Sequence, residues 1–139
     1  MTDFPIDFAA LVPDTRPRRW LVLPEGFEAV AAPDEQSPVF EAPPAETLEA
    51  VIAVALAEPR VHLLGREGLQ AALVQRSKVF GFPDDVTVQA FPAGPGRSVL
   101  AVYSRARIGR YDFGVNRKRV RRWLEAARGR LAQAEGSAK

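Results

Sequence analysis

The stretch Ser98–Leu131, SVLAVYSRARIGRYDFGVNRKRVRRWLEAARGRL, decides the fold. Its opening residues alternate as a strand, with Val99, Ala101 and Tyr103 on one face and Leu100 and Val102 on the other. Apolar residues on both faces predict a strand covered from both sides, near the centre of its sheet. From about 115 to 132 the spacing becomes helical. Val120, Trp123, Leu124, Ala127 and Leu131 make one apolar stripe, and Arg117, Arg121 and Arg128 make the opposite face. Between strand and helix runs Ser104–Arg119, which holds five arginines, a lysine, an aspartate, an asparagine and two glycines.

Upstream, three more strands are expected. Val61–Leu64 is short and ends at Gly65, with a turn at 66–68. Leu69–Val79 is longer and is broken by Gly81-Phe82-Pro83-Asp84-Asp85, and Val86–Phe91 alternates until the Ala93-Gly94-Pro95-Gly96 turn. A helix is expected over 44–58: Pro44 suits its first position, Leu48, Val51, Ile52, Ala55 and Leu56 form its stripe, and Pro59 ends it. Prolines at 5, 13, 17, 24, 33, 38 and 43 rule out long elements before it, except a short strand at Trp20–Leu23. The expected fold is α+β and two-layered, an antiparallel sheet of four to five strands packed by two helices. One domain spans 1–139, with a proline-rich extended segment at 1–43, an α+β core at 44–132 and a frayed tail at 133–139.

Composition narrows the chemistry. The 139 residues include no cysteine, which excludes disulfides, thiolate nucleophiles and cysteine-bound zinc. No stretch is long and apolar enough to span a membrane, and the first residues carry no basic, apolar leader pattern, so a cytoplasmic protein is expected. The net charge of +2 hides an asymmetry: residues 1–58 hold three arginines against eleven acids, and residues 59–139 hold sixteen lysines and arginines against six. Two readings follow, a basic surface for an anionic partner or two halves that neutralise each other, and the second is the more ordinary.

Two motifs carry a resemblance. Arg76-Ser77-Lys78-Val79-Phe80-Gly81-Phe82-Pro83-Asp84-Asp85-Val86, followed by Ser104-Arg105-x-Arg107-Ile108-Gly109-x-x-Asp112-x-Gly114-Val115-Asn116, resembles the domain-of-unknown-function family 1499 over roughly residues 38–132. Ala106 and Tyr111 stand where that pattern commonly has serines. The resemblance implies a shared fold and a shared site, but no reaction.

The expected site lies between the Gly81–Asp85 turn and the Ser104–Arg119 run. Arginine binds carboxylate and phosphate through a planar fork, and a helix start offers free N–H groups. Arg105, Arg107 and Arg110 are therefore expected to contact an anion, with Asp112 orienting an arginine and Asn116 capping the helix. Arg117, Arg76, Ser77 and Ser104 complete the candidate set. The competing reading is that these arginines pair internally with Asp84, Asp85 and Asp112.

The favoured function is a non-enzymatic domain binding an anionic small molecule or a protein partner, with no cofactor and no metal. The three aspartates are read as turn formers before they are read as ligands for a hard cation. A hydrolase-like enzyme using Ser77, Ser104 or an aspartate in the same cleft is the alternative, with His62, the single histidine, as the candidate base for a serine. Nucleic acid ranks third, since the basic residues of 105–130 accompany no readout motif. The oligomeric state is left open.

Overall fold

A computed structural model describes residues 4–137. In chain order the elements are β1 (Arg19–Leu23), β2 (Glu35–Gln36), α1 (Pro44–Leu56), β3 (Val61–Glu67), β4 (Gln70–Arg76), β5 (Pro83–Pro92), β6 (Ser98–Ala106) and α2 (Val115–Ser137). The six strands form one sheet in the order β2-β1-β6-β5-β4-β3. The sheet is mixed, because β1 and β2 run parallel while every other pair is antiparallel. This corrects the expected count of four to five antiparallel strands. The extra strand has only two residues and no alternation to betray it. It is held by Asp34, whose N–H donates to Leu21 O and whose carboxylate accepts from the Leu21 N–H and the Arg19 fork.

Strand β6 is interior, between β1 and β5, as its two apolar faces require. Leu100 and Val102 face a core shared with α1 and α2, where Leu48, Val51, Leu73, Val86, Val88 and Trp123 are all buried. Ala101 and Tyr103 face the other way, into a smaller cluster built by the proline-rich segment with Phe8, Leu21 and Leu23. That segment is extended and lies over the sheet. The Gln70 amide pins it by accepting from Ile6 N–H at 2.6 Å and donating to Ile6 O at 2.8 Å.

Several boundaries move. Asp84 and Asp85 lie within β5, not in the preceding turn, because Asp84 pairs with Gln75 and Ala106, and Asp85 with Val74 and Arg105. The turn occupies 77–82 instead. Helix α2 runs to Ser137, past the end expected at 132. The last two residues of the 133–139 tail lie outside the described residues.

Four ion pairs offset part of the charge asymmetry. Glu35–Arg121, Glu41–Arg97, Glu49–Arg66 and Glu58–Arg122 each join the acidic first part to the basic second. Glu58 clasps α2 to the end of α1: its carboxylate accepts from Arg122 Nε at 2.6 Å and Nη2 at 2.7 Å. That fork is the main reason the Glu58 carboxyl is lowered from 4.5 to about 2. A lowered folded value means that the stability is present above the unfolded value and lost on the acid side. Thermal unfolding across pH should therefore show Tm of the wild type falling between about 4.5 and about 2 more steeply than that of Glu58→Gln. Parallel slopes would remove the assignment.

Candidate functional site

Strand alternation separates Ser104 and Ala106 from Arg105 and Arg107, on opposite faces of the sheet. Ser104 and Ala106 point to the helices, as does Asp84 beside them on β5. Arg105 lies opposite Asp85 on the other face. Arg107 is on that face too, and its fork binds Asp85 with both donors, Nε to Oδ2 at 2.6 Å and Nη2 to Oδ1 at 2.7 Å. Arg105 stays 4.0 Å from the nearest Asp85 oxygen. Arg110 is exposed and has no ion pair among the described residues. Arg117 is exposed and lies over the Trp20 ring, 5.7 Å from its centroid. The arginines expected to converge on one anion are thus divided: Arg105 and Arg107 share a face and meet Asp85, whereas Arg110 lies beyond the end of β6.

The roles expected of Asp112 and Asn116 are exchanged. The Asp112 carboxylate accepts from the Gly114 N–H at 2.9 Å and the Asn116 N–H at 3.1 Å, so Asp112 caps the first turn of α2. Phe113 (φ 54°) and Gly114 (φ 81°) make this possible by turning the chain through the left-handed region. Asn116 is the second residue of α2 and is fully buried. Its amide donates to Arg18 O and to Asp112, and its carbonyl oxygen accepts from the Ser104 hydroxyl at 2.6 Å.

Arg119, outside the candidate set, is the hub. It is 5% exposed. Its Nη2 meets Asp84 Oδ2 at 2.8 Å, its Nε donates to Gln75 Oε1 at 2.7 Å, and its Nη1 donates to Asn116 Oδ1 at 2.8 Å and more weakly to the Ser104 hydroxyl. Gln75 passes the link on by donating to Glu58 and Pro59 O. Burial pushes the Arg119 guanidinium down and the Asp84 carboxyl up, and each partner opposes the other's shift. The sequence did hold a signal for this hub. Carried back one turn from Val120 and Trp123, the apolar stripe of α2 falls on Asn116 and Arg119, two polar residues on the buried face. Arg18 carried no such signal. It is buried before β1, where its fork holds Arg107 O, Gly109 O and Asp14.

Next to the hub, an open cleft of about 380 Å³ lies between the 77–82 turn and the 106–115 segment. Arg119 and Asp84 form part of its wall, Phe82, Ile108 and Tyr111 its apolar side, and Arg60, Arg76 and Arg122 its basic side. Phe80 stacks on Phe82 with centroids 5.2 Å apart, and Tyr111 lies 6.2 Å from Phe113. Val79, Phe80 and Phe113 are 80%, 75% and 88% exposed, so apolar side chains stand in solvent beside the cleft on both the 77–82 turn and the 106–115 segment.

Ser77 lines the cleft as a turn former: its hydroxyl accepts from the Phe82 N–H and its backbone pairs with Phe82 and Gly81. Ser104 is buried against Asn116 and Arg119. The two serines do not end neighbouring strands, because β5 lies between β4 and β6. His62 is exposed on the edge strand β3, opposite Val74. Neither serine hydroxyl hydrogen-bonds a histidine or a carboxylate among the described residues. Asp84 and Asp85 project to opposite faces of β5 and do not form one ligand set.

The chain belongs to the DUF1499 family, described as proteins of unknown function, whose family model matches residues 21–126. The match takes in both motifs, the hub and the cleft. No curated protein matches the chain. Among solved structures it is similar to the crystal structure of TTHA0849 from Thermus thermophilus, at 14% identity and a TM-score of 0.39, over 70% of this chain and 95% of that one.

Removing one member of a buried ion pair strands the other charge, at about 3–5 kcal/mol. Arg119→Met should lower the unfolding free energy by roughly that amount in chemical denaturation. Arg119→Met with Asp84→Leu should recover much of the loss. Additive losses in the double variant would mean that the pair is not coupled.

Proposed function

We propose that this chain is a non-enzymatic binding domain. Its site is the cleft between the 77–82 turn and the 106–115 segment, and its ligand is a small anion with an apolar part. One observation carries the reading. Arg60 and Arg76 share the cleft with the apolar side chains, yet among the described residues their side chains donate only to backbone carbonyls, Arg76 O and Gly81 O. Arg122 and Arg119 are balanced by Glu58 and Asp84, so Arg60 and Arg76 are the cleft's surplus positive charge. A fork without a carboxylate, beside Phe82, Ile108 and Tyr111, suits a ligand that is charged at one end and apolar at the other.

A protein partner is the second reading, favoured by the reach of Phe80 and Phe113 into solvent beyond the cleft. In either case Ser77 and Asp112 shape the site, and Arg119, Asn116 and Ser104 hold its wall.

The amphipathic anion 1-anilinonaphthalene-8-sulfonate is a suitable probe, because its emission rises in an apolar site. The wild type should show a saturable rise, and the double variant Arg60→Gln/Arg76→Gln should bind about tenfold more weakly or worse, the loss of charge-assisted hydrogen bonds. Unchanged affinity in the double variant would sink the proposal.

A further inference from the structure

A second cavity, of about 520 Å³, lies on the opposite face of the sheet, between the proline-rich segment and strands β5 and β6. It is independent of the cleft described above and shares no lining residue with it. Its floor is a row of cross-strand neighbours, Asp85 with Arg105 and Thr87 with Tyr103. Its opposite wall is apolar and comes from Pro5, Ile6, Leu11 and Val12. That wall is fixed in place: Tyr103 Oη accepts from the Asp14 N–H at 2.8 Å, and Gln70 grips Ile6.

Two of the three carboxylates around this cavity are already paired with an arginine. Both oxygens of Asp85 are taken by the Arg107 fork. Asp14 accepts from Arg18 Nε at 2.6 Å and the Arg16 N–H, and Asp7 accepts from the Ala9 N–H. Arg19, opposite Arg105 on β1, is occupied by Asp34 and Asp14 O. Arg105 is the exception. Its side chain is 30% exposed, its nearest carboxylate oxygen is 4.0 Å away, and it makes no hydrogen bond to any described residue. The Thr87 hydroxyl on the same floor likewise has no protein partner among the described residues. The ion pair of Arg105 with Asp85 is at the limit of contact, and the Arg105 side chain lines a space large enough for a small molecule.

We propose that this cavity binds a small monocarboxylic acid, with the carboxylate on the Arg105 fork, the Thr87 hydroxyl beside it, and the aliphatic body against Ile6, Leu11 and Val12. The planar, bidentate geometry of arginine selects a carboxylate, and the apolar wall selects against a bare inorganic anion. Arg107 acts as a positioning residue. By holding both Asp85 oxygens it keeps the internal carboxylate from competing for Arg105.

The test uses the full chain, with sodium hexanoate as probe and hexanol and sodium phosphate as controls, followed by NMR at the Arg105 Nε–Hε resonance and, in the Arg105 variants, at the Thr87 backbone amide. Hexanoate should shift that resonance saturably. Arg105→Gln should weaken binding about tenfold or more, and Arg105→Lys, which keeps the charge but loses the fork, should also bind more weakly. Arg107→Gln should reduce hexanoate affinity without touching the ligand, because Asp85 is then free to pair with Arg105. Unfolding midpoints close to the wild type will show that the variants are folded. The proposal fails if hexanoate leaves Arg105 unshifted, or if hexanol or phosphate binds there as tightly as hexanoate. It also fails if Arg105→Gln binds hexanoate as the wild type does. Arg60→Gln/Arg76→Gln should leave the hexanoate shift at Arg105 intact, so this site and the cleft stand or fall separately.

Discussion

The buried fork of Arg119 is the constraint around which this end of the molecule is arranged. A guanidinium at that depth is tolerable only if its N–H groups find acceptors and its charge finds a counterion. Asp84, Gln75, Asn116 and Ser104 meet that demand from three different elements, β4, β5 and β6, and from the first turn of α2 itself. Their positions fix the rest. Asp84 must lie inside β5, not in the turn before it, and Asn116 must turn inward, which leaves Asp112 to cap the helix. The 77–82 turn and the 106–115 segment are then held close enough to form a cleft.

How much of this was legible in the sequence follows from what each signal measures. Periodicity reports burial, so helix α1, the two-faced strand β6 and the body of α2 could be read directly from Val51, Leu100, Val102 and Trp123. Strand β2 could not, because two residues have no period and their parallel pairing depends on where Asp34 lands. The start of β5 was hidden by Pro83, Asp84 and Asp85, which resemble turn formers in isolation and are fixed in the strand by their partners Gln75, Ala106 and Arg105. The location of the candidate site was legible, since the two motifs do meet. The membership was not. Reading Arg105, Arg107 and Arg110 as three arginines for one anion left out Asp85, which lies opposite Arg105 on β5 and takes the Arg107 fork.

The two arrangements of arginine in this small domain differ in kind. Arg107, Arg119 and Arg122 are each bound to a carboxylate through at least one charge-assisted contact, and they knit the elements together. Arg60, Arg76 and Arg105 meet backbone carbonyls or nothing closer than 4.0 Å. A count of basic residues merges these groups, whereas the hydrogen-bond inventory separates a structural cation from one with binding capacity to spare. Membership of a family without an assigned reaction makes that separation the more useful guide, because it directs attention away from the most motif-like residues, Ser104, Asp112 and Asn116.

The placement of β1 between β2 and β6 bears on how the chain is made. The first of these strands to leave the ribosome finds its long antiparallel neighbour only after residue 98 has been synthesised, and the Asn116 amide reaches back 98 positions to Arg18 O. Until then β1 has only the two-residue β2 beside it, while β3, β4 and β5 can already pair in sequence. The meander can therefore assemble during translation, and the proline-rich segment has to wait. Its seven prolines suit that wait, since a segment poor in backbone donors is a poor template for premature strand pairing.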